Sequence, residues 1–447
     1  MNLGVIQTLL KARQLNPTNA LSLKVGQIFQ GKAVKLFRED VAQIQVGSTQ
    51  FVAKLHAPLI LHQNYWFQVQ PNDEQTELKV FYNKDIGVIK DPIRSELIGS
   101  QQLLNKLGVK ATNASLPLIK FLHDENIPFT TEQFQQAVNQ LLNQKEISKG
   151  LSIVKYLLLN QLPITSKTFH SLIAVQDDSP MVSYISKLLI DLEKIQDKTP
   201  NTNRLITMLQ NILGEEMNKV IDSSGSKVVL PNDQTMQKVF KQMITSFGLQ
   251  YENDLVKSMD SGNRQSLSIQ YETLKPLLMT ALSELNYLPG KETLEHLINR
   301  ITGQQLLSRG DSDFGHLIFQ IPFQLGGKLS DLTIQFSGKK NKDKEIDPNY
   351  CQLFFQLELG TLRETMIDVK IQNRILSITI YNNHRLLDKL VQGMKFSLAE
   401  GLEKVGYKLS SIKVSEISEK LTGTEGISPT SKILRRNDGY TGVDIKI

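Results

Sequence analysis

Between Leu317 and Val414 the apolar residues change their spacing twice, and those changes dictate the order of elements in the last third of the chain. Leu317, Phe319, Ile321, Phe323 and Leu325 alternate strictly, as do Leu332, Ile334 and Phe336, and then Cys351, Leu353, Phe355, Leu357 and Leu359. Ile367, Val369 and Ile371, followed by Leu376, Ile378 and Ile380, continue the pattern. A period of two puts each set on one face of a strand, so Asp368, Lys370, Ser377 and Thr379 are predicted to face away. Leu386, Leu387, Leu390, Met394, Leu398, Leu402 and Val405 then follow a helical period. That spacing predicts a long helix that buries one apolar stripe, with Gly406 as its left-handed C-terminal cap. Leu409, Ile412 and Val414 make a closing strand. Residues 308–415 are therefore expected to form an antiparallel sheet with one helix packed on its apolar face, closed by a β-α-β step. Pro322 belongs on an edge strand or at a bulge, because it has no backbone donor.

The amino-terminal quarter follows other rules. Residues 1–20 are predicted to hold a short amphipathic helix (Leu3, Ile6, Leu9, Leu10), ended by Pro17 and Asn19. Over 21–90, short β-rich segments are punctuated by Gly26, Gly31, Gly47, Pro58 and Pro71, which predicts a small antiparallel β-barrel, OB-like or SH3-like. Within Tyr65-Trp66-Phe67, alternation sets Trp66 on the opposite face from its neighbours.

Residues 91–307 read as helical, with a short internal repeat. Ile127-Pro128-Phe129-Thr130-Thr131 and Phe134 are echoed by Leu162-Pro163-Ile164-Thr165-Ser166 and Phe169, so that Pro128 returns as Pro163 after 35 residues. Each unit is a helix stopped by an apolar-Pro turn, then a hydroxyl residue able to cap the next helix, Thr130 or Thr131 and Thr165 or Ser166. Leu288-Pro289 is a worn third copy. Polar stretches suggest soft boundaries near 222–232 and 308–313. Residues 416–447 are expected to be a linker followed by a strand-like tail, Val443, Ile445 and Ile447. The fold class that results is α+β, in several domains.

Composition narrows the function. Lys and Arg number 51 against 45 Asp and Glu, a net +6 that is too dilute over 447 residues to mark a nucleic-acid binder. One cysteine, Cys351, excludes an intramolecular disulfide or a thiolate metal cluster and fits a reducing compartment. No signal-peptide pattern opens the chain, and no apolar run approaches the roughly 18 residues of a membrane span. A cytoplasmic location without membrane insertion is the expectation.

No arrangement of residues announces catalysis, and no metal or cofactor is expected. The seven histidines never fall at metal-ligand spacing, and Gly326-Gly327-Lys328-Leu329 lacks the leading glycine and the hydroxyl of a phosphate loop, so it reads as a turn. Cys351 sits on the apolar face of a strand, where a buried thiol is the expectation. Lys32, Lys35, Phe37 and Arg38 combine positive charge with an aromatic ring, as a single-stranded nucleic acid requires. Nucleic-acid binding through this part of the barrel is the alternative function.

The run Leu357-Glu358-Leu359-Gly360-Thr361-Leu362-Arg363-Glu364-Thr365, leading into Ile367 and Val369 and on through the helix to Gly406-Tyr407-Lys408-Leu409, resembles the C-terminal domain of flagellar hook-length control proteins. That family carries a pattern close to Leu-x-Pro-x-x-Leu-Gly-x-Val-x-Val, then a strand, an amphipathic helix and an apolar strand after glycine. Leu359 stands where the family has proline and Arg363 where it has glycine. The resemblance covers about residues 310–415. It implies a protein-interaction factor, not an enzyme, whose partner is the cytoplasmic part of an export-gate membrane protein that selects type III export substrates in bacteria. Leu359, Leu362 and Arg363, together with the tail residues Val443, Ile445 and Ile447, are the partner-binding candidates.

Overall fold

The computed structural model describes residues 24–38, 40–47, 49–55, 59–71, 76–81, 100–177, 179–214, 245–249, 251–252, 272–284, 290–308, 314–325, 328–342 and 345–417. The expected terminal helix, the boundaries at 222–232 and 309–313, the third repeat copy and the tail 418–447 lie outside them. The protein is α+β, and its described residues fall into two compact units, 24–169 and 170–417, divided within one helix. No helix among them is long and apolar enough to cross a membrane.

In the first unit β1 (Gln27–Leu36), β2 (Val41–Val46), β3 (Thr49–Leu55), β4 (Asn64–Gln70) and β5 (Glu77–Phe81) pair in a closed circuit, β1-β2-β3-β5-β4-β1. Every seam is antiparallel except β3–β5, where Lys54 and Leu55 lie parallel to Glu77 and Leu78. The expectation of wholly antiparallel strands is corrected there. The reason is topological: an odd number of strands closes by setting β4 beside β1, which leaves two strands of the same direction as neighbours. Phe29, Ile44, Leu55, Tyr65, Phe67 and Leu78 fill the interior. Gly31 sits where a Cβ would come within 2.7 Å of Ile44 Cγ2, so only glycine lets β1 cross there.

The helical repeat of this unit is visible in the backbone. α1 (Ser115–Asp124) and α3 (Ile147–Leu159) both end in a left-handed residue, Asn126 and Gln161, each with φ 52°. Ile127 N–H donates to Leu122 O and Leu162 N–H to Leu157 O, the same 6→1 bond in both copies. The chain then turns into β6 (Phe129–Thr130) and α2 (Thr131–Leu141) in the first copy and into α4 (Ser166–Val175) in the second. Thr130 caps α2 in a reciprocal box with Gln133, and Thr165 exchanges the same pair of bonds with Thr168. β6 pairs with β1, and Trp66, outside the sheet interior as alternation required, meets the Phe129 ring at 5.8 Å.

The second unit holds α5 (Met181–Glu193), α6 (Pro200–Leu213), α7 (Leu274–Glu284), α8 (Lys291–Leu307) and a six-stranded sheet. Its strands are β7 (Phe314–Leu325), β8 (Lys328–Lys340), β9 (Ile346–Leu359), β10 (Arg363–Gln372), β11 (Ile375–Tyr381) and β12 (Lys408–Ser415), with α9 (Leu387–Lys404) between the last two. They lie in sequence order, antiparallel except for β11–β12, which are parallel across the expected β-α-β step. Pro322 is on the edge strand β7. That edge is blocked by side chains of α8 and its C-cap: Gln304 bonds both backbone groups of Gln320, and Ser308 those of Ile318. Leu188, Leu205, Leu278 and Leu297 form one core with Ile321, Leu332 and Ile334 of the sheet.

One expectation needs correction, that of a buried stripe on α9, and it has a counterpart in the sheet. Gln320, Asp331, Thr333, Gln335, Gln356 and Asp368, which alternate with the apolar positions of the strands, are buried. Period two separates the faces of a strand but says nothing about whether other parts of the chain cover the polar one. The stripe of α9 is not buried. Leu387 is buried and Leu402 packs beside Cys351, Ile371 and Leu376, whereas Leu390, Met394 and Val405 are more than half exposed. The apolar arc of this helix is wider than the strip of sheet it covers. Gly406, at φ 81°, is the predicted cap.

Candidate functional site

The turn between β9 and β10 sets Arg363 opposite Leu359, with 360–362 at its tip. Arg363 takes φ 58°, the left-handed region that glycine occupies without a steric penalty. The turn is held from behind by Asn382, a buried side chain at the end of β11. Its Nδ2 donates to Leu362 O at 2.8 Å, Glu364 O at 3.0 Å and Thr365 Oγ1 at 2.8 Å. Its Oδ1 accepts from His384 N–H at 2.7 Å, and its own N–H donates to Ser415 O. One residue thus ties the turn, the entrance of α9 and the end of β12 together. Beside them Leu362 is partly exposed, and Arg363 and Leu386 are exposed.

Leu359, Leu362 and Arg363 are therefore brought to one end of the sheet, whereas Val443, Ile445 and Ile447 lie outside the described residues. The sequence reading missed Asn382; the only trace it leaves is a polar residue interrupting the apolar text just after Ile380 and Tyr381.

Lys32 and Lys35 on β1 and Phe37 and Arg38 just after it are all exposed. A shift in register between Ala33 and Lys35 interrupts the pairing of β1 with β2 next to this run. The Lys35 ammonium lies 5.1 Å from the centre of the Phe37 ring, over the face a stacked base would use.

A second constellation escaped the sequence reading altogether because its members come from four distant segments. Arg300 of α8 is fully buried, donates to Gln320 Oε1 from Nε (3.2 Å) and Nη2 (2.8 Å) and to Ser179 O from Nη1 (2.6 Å), and lies 3.9 Å from Asp331. Gly303 lets α8 come this close, since a Cβ there would fall 2.3 Å from Ser171 O. Burial raises the Asp331 carboxyl above its usual range, against the bonds from Met181 and Val182 and the Arg300 charge. Outside this pair the Tyr184 hydroxyl donates to Asp177 Oδ2, and the His296 ring stacks on Tyr184 at 4.0 Å with Nε2 3.3 Å from the same carboxylate. Burial opposes ionisation of Asp177, yet bonds from Tyr184 and Ser179 hold it below the carboxylate norm. Burial, with Arg300 adding, holds His296 below the imidazole norm although Asp177 pulls the other way. Arg300 and Asp331 lock α5 and α8 to the sheet edge, which is a structural task. The Cys351 thiol is pushed up to about 11 by burial, with Asp347 adding, so it stays protonated at neutral pH.

The fold and this sheet end define an α+β protein of two units with a clamped turn on the second. No family model matches the chain. No solved structure matches it. The chain is similar to a Bacillus subtilis (strain 168) protein described as uncharacterized protein YlqG, with 22% identity over 528 aligned positions that cover 87% of this chain and 89% of the other. That likeness runs through both units.

Proposed function

We propose that the protein is a non-catalytic interaction factor of the hook-length control type, working in the cytoplasm and binding another protein with the end of its second sheet. The observation that carries this reading is the backbone of Arg363. The related pattern has glycine at that position, and here the position takes φ 58°, the conformation for which glycine is the default. A resemblance drawn from letters alone has no reason to fall on a left-handed residue. The same turn, fixed by Asn382, presents Leu362 and Arg363 on a rigid support, as a recognition surface needs.

The resemblance names the partner as the cytoplasmic domain of an export-gate membrane protein. The test is capture of such a domain by the full-length chain, compared with Leu362→Asp. Binding that falls tenfold or more in a folded variant supports the reading, since a buried charge at an interface costs at least about 1.4 kcal/mol. Equal binding by both places the surface elsewhere, and no binding by the wild type removes the partner.

A second reading rests on the exposed group Lys32, Lys35, Phe37 and Arg38 and makes the first unit a nucleic-acid binder. Affinity for single-stranded DNA or RNA that falls steeply with salt, and falls again in Lys32→Ala/Arg38→Ala, is its expected outcome.

A further inference from the structure

α9 carries more apolar surface than the described residues of its unit cover. Leu386, Leu390 and Met394 are 56%, 55% and 64% exposed, Leu398 is 37% exposed, and they follow one another at four-residue steps along one ridge. Val405 prolongs the ridge at 59%. Scattered exposed leucines need no explanation, but a continuous ridge on a soluble helix marks a contact surface. We infer that this ridge pairs, antiparallel, with the same ridge of a second copy of the chain.

Three features single out a second copy as the occupant. An isologous contact needs a patch that reads the same in both directions, and the exposed residues Leu390, Met394 and Leu398 at the middle of the ridge are symmetric about Met394. Antiparallel pairing sets Leu390 against Leu398 twice and Met394 against its own copy on the axis.

The charges along the outer flank agree. Lys389 stands five residues before Met394 and Glu400 six after it, so the antiparallel arrangement brings Lys389 of each copy to within one residue of Glu400 of the other. A parallel arrangement sets like charge on like. Glu400 now bonds Lys404 at 3.2 Å within its own helix, an exposed pair that contributes little and gives way easily.

The third feature is the pair Gly393 and Gly401, with Ser397 between them on the adjoining line of the helix. A Cβ at either glycine meets no atom within 4 Å, so nothing among the described residues requires glycine there. Glycine in a helix interior costs roughly 1 kcal/mol relative to alanine. Small residues beside the ridge let a second backbone approach closely, which supplies the missing reason.

One helix from each copy makes a small interface, so dissociation on the order of micromolar is expected. Sedimentation equilibrium of the full-length chain over a hundredfold range of concentration reads it directly. The expected result is a reversible monomer–dimer equilibrium whose dissociation constant rises at least tenfold in Met394→Glu, which sets two carboxylates together on the axis. Met394 is exposed, so circular dichroism of the variant should match the wild type. Lys389→Glu should weaken the dimer severalfold and Lys389→Glu/Glu400→Lys restore it, a rescue that general loss of helix structure does not give. A chain monomeric throughout, a dimer indifferent to Met394→Glu, or a double swap that fails to rescue overturns the inference. It does not rest on the export-gate reading: a monomer that still captures the gate domain defeats this inference alone.

Discussion

Asp331 on β8 accepts the backbone N–H of Met181 at 2.6 Å across 150 residues of sequence, and its second oxygen takes the N–H of Val182 at 3.1 Å. Pro180, at the N-cap of α5, offers no side chain to these donors. A strand residue therefore caps the helix from outside, while Gln320 Nε2 donates to the same carboxylate at 3.0 Å and links it to Arg300.

Asp331→Ala leaves two helix donors without their acceptor and removes the opposite charge that lies 3.9 Å from the buried Arg300 guanidinium. The expected cost is about 3–5 kcal/mol in urea unfolding at neutral pH. The carboxyl also has a signature in pH. Its folded value is raised by burial, so the folded state binds the extra proton and stability falls as pH rises from the unfolded carboxylate value through the folded one. That falling limb should be missing in Asp331→Asn.

His296 has the opposite limb. Its folded value lies below 6.5, so the unfolded chain takes up the proton first and stability falls as pH drops from 6.5 through the folded value. An NMR titration of the His296 ring should give a midpoint below 6.5. A midpoint at or above it means that Asp177 prevails over burial.

Asn382→Asp removes the donor shared by Leu362 O, Glu364 O and Thr365 Oγ1 and points a carboxylate at two carbonyls. A loss of roughly 2–3 kcal/mol is expected, with faster amide exchange in 359–365 than in β7 and β8.

Arg363→Gly should be tolerated or stabilising by up to about 1 kcal/mol, because glycine relieves the left-handed backbone at the expense of some chain entropy. A clear loss of stability in thermal unfolding counts against the turn geometry and against the family reading that rests on it.

Thr130→Ala and Thr165→Ala should each cost ~1 kcal/mol, as lost helix caps do. Thr131→Ala and Ser166→Ala should cost much less, since the caps belong to the first hydroxyl of each pair.

The local elements were legible in the sequence because local rules make them. Alternation placed β7 to β11, set Trp66 apart from Tyr65 and Phe67, and put Pro322 on an edge. The echo of Pro128 in Pro163 matched two turns with the same bonds. Gly406 marked the end of α9. Even the end of the sheet with Leu359, Leu362 and Arg363 followed from the order of the strands. Only the tertiary structure decided what covers each face. Period two could not tell that Gln320, Asp331 and Asp368 face protein instead of water, and period 3.6 could not tell that Leu390 and Met394 stay open while Leu387 does not. Arg300, Asp331 and Asn382 act on backbone groups far from them in sequence, and no periodicity records a bond made across 150 residues. Burial depends on which distant surfaces meet, and a one-dimensional pattern carries only the propensity of each surface to be covered.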